Sequence, residues 1–333
     1  MKKSFPQFYQ LDEPQITKMW ADGLFIFDAN VILNLYTYSL KTSNELISVL
    51  EKISDRIWIP YQFALEYQKR RLGIIEEQKI IFDKNIEDIK KNLTEVKNKL
   101  EIYSEKPVLN IDEIIEKLNE SQGNYPDCSG ADLVRGKIDK LFEGKVGMSY
   151  DSEKLKGICK NGEYRYEMKI PPGYLDKSKD NNDPTKIKKF GDLIGWLQII
   201  DKARESKKSI IFITSEKKED WWQKVKGDKI VGPRYELINE MILETGVLFH
   251  MYDMNRFLEY SKTTSEISPE TIKEIKEIDE KKIEINEDVV VSPFNSSNSG
   301  VIFSPEPYND IMTTTTGEGA ENMVEEGLTE VKK

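Results

Sequence analysis

Five acidic residues carry the chemistry that this chain could do: Asp28, Glu66, Asp192, Glu216 and Asp220. Asp28 directly follows the apolar run Leu24-Phe25-Ile26-Phe27 and precedes Ala29-Asn30. Glu216 stands two residues beyond Thr214, at the end of a second apolar run, Ile210-Ile211-Phe212-Ile213, with Asp220 one turn further on. Carboxylates gathered in one cleft repel each other and hold on to protons unless a cation neutralises them. Mg²⁺ and Mn²⁺ suit such oxygen ligands, with waters and substrate phosphate completing the shell. Ions held in this way activate a water and stabilise charge on a phosphoryl group. The set therefore points to metal-assisted phosphodiester hydrolysis. The single histidine, His250, lies inside an apolar strand, and neither a P-loop nor a Gly-rich dinucleotide turn occurs.

Each acid taken alone has an ordinary structural explanation. Asp28 could close a turn, Glu66 could pair with Arg70 one helical turn on, and Asp192 could satisfy a helix N-terminus. Glu216 and Asp220 could be solvated acids of a charged turn. The chemical reading rests on their joint arrangement. Asn30 and Thr214 either steady turns or orient the carboxylates. Lys69, Arg70 and Arg71 follow Glu66, while Lys186, Lys188 and Lys189 precede Asp192. Both clusters could hold phosphates or form solvated helix faces. Trp221 and Trp222 suit packing against a sheet better than stacking on bases.

The elements that must position these residues alternate between strand and helix. Leu24–Phe27 reads as a strand buried on both faces, with Asp28 at its carboxyl end. A helix capped at Thr42 or Ser43 carries Leu46, Val49, Leu50 and Ile53 at helical spacing. Arg56–Ile59 reads as a second strand, and Pro60 opens the helix that carries Glu66. Apolar residues then recur every three or four positions from Leu72 to Leu100, which predicts a long amphipathic helix packed on a shorter one over Ile111–Leu118. Residues 120–170 are mixed, with a helical turn expected at Ile138–Phe142, and Pro171–Asp176 reads as a loop. Helical spacing returns at Phe190–Ile200, before the strand Ser209–Thr214. A helix over Tyr235–Glu244, closed by Gly246, a strand over Val247–Tyr252 and a short helix capped by Asp253 complete the pattern. Alternation of this kind implies a mostly parallel sheet with helices on its faces. Asp28, Glu66, Glu216 and Asp220 then share one sheet edge, and Asp192 joins them only if its own helix starts there.

The chain has 333 residues, 38% hydrophobic and 32% charged, with a net charge of −10. Residues 261–333 hold 7 Lys and 16 Asp or Glu, so −9 of that charge belongs to the tail and only −1 to the body. Net charge therefore neither favours nor excludes a nucleic-acid partner. The expected organisation is one domain over residues 1–265, with a helical insertion at about 70–170, and an acidic, largely disordered tail over 266–333. No apolar stretch is long enough to span a membrane. Two widely separated cysteines, Cys128 and Cys159, and an N-terminus without a signal-like stretch suggest a reduced, cytoplasmic protein.

Several motifs together resemble those of PIN-like domain proteins, in particular the bacterial branch with a long helical insertion. They are Phe27-Asp28-Ala29-Asn30, Pro60 with Glu66, Pro171-Pro172-Gly173-Tyr174, Gly191-Asp192 with Trp196, Ile213-Thr214-Ser215-Glu216 and Lys218-Glu219-Asp220-Trp221-Trp222. The resemblance covers roughly residues 20–260. It implies an α/β PIN-like fold, a mostly parallel central sheet flanked by helices, and a Mg²⁺- or Mn²⁺-dependent nuclease usually acting on RNA. Asp28, Glu66 and Asp192 carry over as metal ligands. The family usually has aspartate where Ser215-Glu216 stands here, so Glu216 and Asp220 share the expected fourth role. A toxin or phage-defence effector is the setting that this resemblance implies. Rival readings are a structure-specific DNA endonuclease with the same site, an aspartyl-phosphate phosphatase and a non-catalytic helical scaffold. The phosphatase normally wants a second aspartate where Asn30 stands. The long helices could also serve a homodimer or a regulatory partner.

Overall fold

The computed structural model describes residues 1–102, 110–124, 132–180, 185–262 and 265–288. Capped by Asp12, helix α1 (Glu13–Asp22) leads into strand β1 (Leu24–Phe27). Helix α2 (Ala29–Leu33) begins at once after Asp28, and α3 (Leu40–Lys52) follows. The cap of α3 is Ser39, three residues earlier than the composition suggested, and its hydroxyl accepts the Thr42 amide. Strand β2 (Ile57–Trp58) runs into α4 (Tyr61–Glu101), with Pro60 at the N-cap. Helices α5 (Ile111–Asn124), α6 (Leu133–Phe142) and α7 (Ser152–Glu167) come next. Helix α8 (Gly191–Ser206) then returns the chain to strand β3 (Ile210–Ile213). Strands β4 (Trp222–Val225) and β5 (Lys229–Pro233) form a hairpin before α9 (Tyr235–Thr245). Strand β6 (Phe249–Tyr252), α10 (Met254–Ser261) and α11 (Pro269–Asp288) finish the described chain.

The main sheet has the order β2-β1-β3-β6 and is parallel throughout. β1 and β3 are buried at every position, which explains their unbroken apolar sequences. The register pairs Phe27 with Ile213 and Ile213 with Tyr252, so Asp28, Thr214 and Asp253 come next along one edge. Helix α4 leaves that edge, because it follows β2. Helix α8 ends just before β3 starts, so it runs against the strands and its first turn lies at the same edge. That crossover satisfies the condition set for Asp192.

α4 and α8 pack closely through Gly195, where a Cβ would lie 2.2 Å from the Phe63 ring. Among the exposed or half-buried stretches of α4, Ile75 and Ile86 are buried, and Lys79, Lys90 and Lys97 bond to α5. The expected pairing of the long helix with a shorter partner is thus present.

Three elements differ from expectation. Helix α7 lies in the stretch read as mixed, because its few apolar positions, Ile158, Tyr166 and the close-packed Gly162, suffice against Phe190 and Leu193. The β4–β5 hairpin occupies the stretch between Trp222 and Pro233, to which the sequence pattern assigns no element. The expected domain ends at 265, and the compact body runs from Met1 to Glu287. α11 is held there by the buried Thr271 and Ile275 and by Glu274, which accepts from the Ser39 and Thr42 hydroxyls, each at 2.7 Å. The rest of the tail lies outside the described residues. Among those residues no helix is long and apolar enough to cross a membrane.

Candidate active site

The parallel register places Asp28 beside Thr214, whose hydroxyl donates to Asp28 Oδ2 at 2.9 Å. The Asp28 amide donates to the Ile213 carbonyl at 2.9 Å, extending the ladder by one residue and fixing the aspartate's backbone. From the first turn of α2, Asn30 Nδ2 reaches the same Oδ2 at 3.3 Å. Asp28 is 8% exposed, and burial together with the nearby Glu66 and Glu216 pushes its carboxyl up to about 7. The two hydrogen bonds oppose that shift without cancelling it.

An open cleft of about 610 Å³ lies over this residue, lined by Asp28, Asn30, Glu66, Arg70, Asp192, Glu216 and others. Glu66 enters from the second turn of α4, and Asp192 from the first turn of α8. Trp221 Nε1 donates to Asp192 Oδ2 at 3.1 Å. Glu216 is held by the turn after β3, where its amide donates to Thr214 Oγ1 at 2.9 Å and its Oε1 accepts the Lys217 amide at 2.9 Å. Trp222 Nε1 secures that turn by donating to the Glu216 carbonyl at 2.6 Å. Thr214 therefore links two acids, giving to Asp28 and receiving from Glu216.

Two cations stand among these acids. Arg70 Nη1 lies 2.7 Å from Glu66 Oε1 and 2.8 Å from Asn30 Oδ1. Lys218 Nζ lies 3.0 Å from Glu216 Oε2 and 2.9 Å from Asp176 Oδ1. Burial pulls the Lys218 ammonium down, but Glu216, Asp176 and Asp192 outweigh it and hold it above its usual value. No three Asp, Glu, His or Cys side chains among the described residues converge on a point that could hold a metal ion. The donor set is nonetheless hard oxygen throughout, and the protonation of Asp28 is relieved by added positive charge. Both properties fit Mg²⁺ or Mn²⁺ better than a softer ion.

Four of the expected acids, Asp28, Glu66, Asp192 and Glu216, thus meet at the cleft; Asp220 does not. It is fully buried, and its Oδ2 accepts the amides of Gly173 at 3.0 Å and Leu175 at 3.3 Å, so it anchors the Pro-Pro-Gly-Tyr loop. Gly173 has φ +88°, and a Cβ there would approach Asp192 Cβ to 3.0 Å. The loop therefore seats tightly behind Asp192, and Asp220 holds it there. Two basic residues also differ from expectation. Lys189 is buried and pairs with Glu163 at 2.7 Å, and Arg71 is buried against Asp132. Lys69, Arg70 and Lys188 remain along the cleft. Both tryptophans are buried, consistent with packing. His250 packs edge-on against Tyr252, and burial lowers it to about 4, leaving it neutral near pH 7. Lys218, Gln62 and Asp176 were not singled out from sequence. For Lys218 a signal existed, its position two residues after Glu216.

No curated protein and no solved structure matches the chain. The family described as PIN like domain matches residues 24–237, a span that begins at β1 and ends in α9 and contains every acid of the cleft. PIN-like domains are generally nucleases, and PIN-like nucleases usually use divalent metals. The parallel sheet, the helices on its faces and this match agree, and the chain belongs to the PIN-like domain family.

Proposed function

We propose that the protein is a divalent-metal-dependent endonuclease whose substrate is RNA. One observation carries the reading: at the end of a central strand, facing an open cleft, Asp28 is kept near its protonation point by burial and by the crowding of Glu66 and Glu216. Such crowding is unfavourable in the resting fold and becomes useful when a cation binds. Asp28, Glu66, Asp192 and Glu216 would hold Mg²⁺ or Mn²⁺. When bound, the ion supplies an activated water and charge stabilisation on the scissile phosphate. Asn30 and Thr214 fix the Asp28 carboxylate, so its geometry is set before the ion arrives. The Trp221 indole does the same for Asp192. Lys69, Arg70 and Lys188 supply positive charge along the cleft for neighbouring phosphates, which positions the strand without reading its bases. Arg70 has two roles in sequence, holding Glu66 in the resting state and a phosphate in the working one. RNA is the proposed substrate by the resemblance set out above, and a toxin or phage-defence effector is the proposed setting on the same ground.

The test is cleavage of labelled RNA, single-stranded DNA and branched DNA with Mg²⁺, Mn²⁺ or EDTA, comparing wild type with Asp28→Asn and Asp192→Asn. We expect RNA cleavage that needs the ion and is lost in both variants. Cleavage confined to branched DNA would replace the substrate, and equal activity in all three proteins would remove the site. No cleavage of any substrate, together with no Mn²⁺ uptake by calorimetry, would leave a helical scaffold as the reading.

A further inference from the structure

Helix α4 is 41 residues long and carries two different faces along its outer half. One face, including Ile75, Lys79, Ile86, Lys90 and Lys97, is covered by α5. Beside it runs a second stripe: Ile74, Gln78, Ile81, Asn85, Ile89, Asn92 and Val96. The spacings of 4, 3, 4, 4, 3 and 4 keep these residues on one side of a helix. No member is charged, although Lys, Glu and Asp fill most neighbouring positions. Ile81, Ile89 and Val96 are 50%, 44% and 44% exposed. Isolated exposed apolar residues such as Leu72 and Ile80, elsewhere on the helix, need no explanation. A charge-free stripe of about 33 Å, at 1.5 Å per residue, does.

The stripe is symmetric about Asn85. Ile81 and Ile89 lie four residues either side of it, Gln78 and Asn92 lie seven, and Ile74 and Val96 lie eleven. A two-fold axis through Asn85 that sets a second copy antiparallel therefore puts Ile81 against Ile89, Gln78 against Asn92, Ile74 against Val96 and Asn85 against itself. Every apolar residue meets an apolar residue, and every amide meets an amide. This is the self-complementarity that an isologous interface requires, and amides within an apolar seam fix register at some cost in stability. A slip by one turn sets isoleucine against amide at most positions. Ile74 also packs partly against the main core, so the body adjoins that end of the stripe. The antiparallel arrangement puts the two bodies at opposite ends of the seam, whereas a parallel one brings them to the same end.

We propose that this face of α4 is a homodimer interface, with two copies of the chain paired antiparallel about Asn85. The proposal stands apart from the nuclease reading, because the interface makes no use of the cleft. The test uses full-length protein with Cys128 and Cys159 replaced by serine. Sedimentation should give twice the monomer mass at about 50 μM. The Ile81→Lys/Ile89→Lys variant should weaken association at least tenfold while its circular dichroism stays unchanged and its unfolding midpoint, measured at dilutions where both proteins are monomeric, matches wild type. Geometry is then read by disulfide trapping, since a disulfide forms only where Cβ atoms come within about 4 Å. A mixture of Ile81→Cys and Ile89→Cys proteins should cross-link under mild oxidation, and neither alone should. Asn85→Cys should cross-link by itself, and Ile80→Cys, on another face, should not. A monomer throughout that concentration range, or cross-linking of Ile81→Cys alone, would overturn the proposal.

Discussion

Asp28→Asn offers a sharp test of the electrostatics, and it does not depend on catalysis. Asparagine keeps an oxygen in place for the Thr214 hydroxyl, which donates to Asp28 at 2.9 Å, and removes only the charge. Burial, helped by Glu66 and Glu216, pushes the Asp28 carboxyl up to about 7 from its ordinary value of 3.8. Between those values the folded chain binds more protons than the unfolded one, so stability must fall as pH rises through the window. The contribution is fully present below about pH 4, declines toward pH 7 and is gone above it. At about 1.4 kcal/mol per pH unit, the loss is at most about 4 kcal/mol. Urea unfolding in EDTA at intervals from pH 4.5 to 8.5 measures it. Wild type and Asp28→Asn should be close in stability at the acid end. The variant should become more stable than wild type as pH rises, by about 2 to 4 kcal/mol at pH 8. Saturating Mn²⁺ should recover the wild-type loss and leave the variant nearly unmoved. If the variant is no more stable than wild type at pH 8 in EDTA, then burial beside Glu66 and Glu216 does not raise the Asp28 carboxyl, and the argument for a cation site loses its support.

Other consequences can be measured independently. Lys218→Met removes the ammonium from Glu216 and Asp176, so Mn²⁺ affinity by calorimetry should rise about tenfold, matching the loss of about 1.5 kcal/mol of charge-assisted bonding; unchanged affinity would mean the pair does not compete with the ion. Asp220→Ala should cost about 1–3 kcal/mol by denaturant unfolding, because the buried amides of Gly173 and Leu175 lose their acceptor. Asp192→Asn should cost much less while abolishing cleavage, and that contrast separates anchor from site. Gly195→Ala forces a methyl to within 2.2 Å of the Phe63 ring, and should destabilise by about 1–3 kcal/mol and reduce cleavage by displacing Glu66 from Asp192. Truncation after residue 265 removes α11 with its buried Thr271 and Ile275, and should lower the melting temperature by several degrees, at about 2–4 °C per kcal/mol.

What could be read from sequence divides by how local its cause is. β1 and β3 show themselves because a strand covered on both faces has no polar position to disguise it. α8, α9 and the outer half of α4 follow from apolar spacing over several turns. Asp28 and Glu216 can be assigned to one edge from sequence because a strand end fixes which edge a residue occupies. Asp220 lies away from the cleft because its partners are backbone amides of a loop 45 and 47 residues earlier, and no periodicity encodes that contact. Lys189 looked like its neighbour Lys188 until the turn before α8 directed it at Glu163. α7 escaped notice because it packs through a glycine and a few rings. The β4–β5 hairpin has half-exposed strands with lysines in them, which resemble a loop in composition.

One contact described above has a mechanical consequence. Phe63 rests on Gly195 with no room between them, Glu66 lies three residues beyond Phe63, and the far end of the same rigid helix lies 38 residues beyond it. Turning as one piece about Phe63 on Gly195, α4 would have arms of about 4.5 Å and 57 Å at 1.5 Å per residue. A sideways push of about 5 Å at the distal end then moves Glu66 by about 0.4 Å, close to the tolerance of a working constellation. Whatever grips the outer half of α4 is therefore geared down by more than tenfold before it reaches the cleft. Large movements outside would then become fine adjustment within, in the spacing of Glu66 from Asp28.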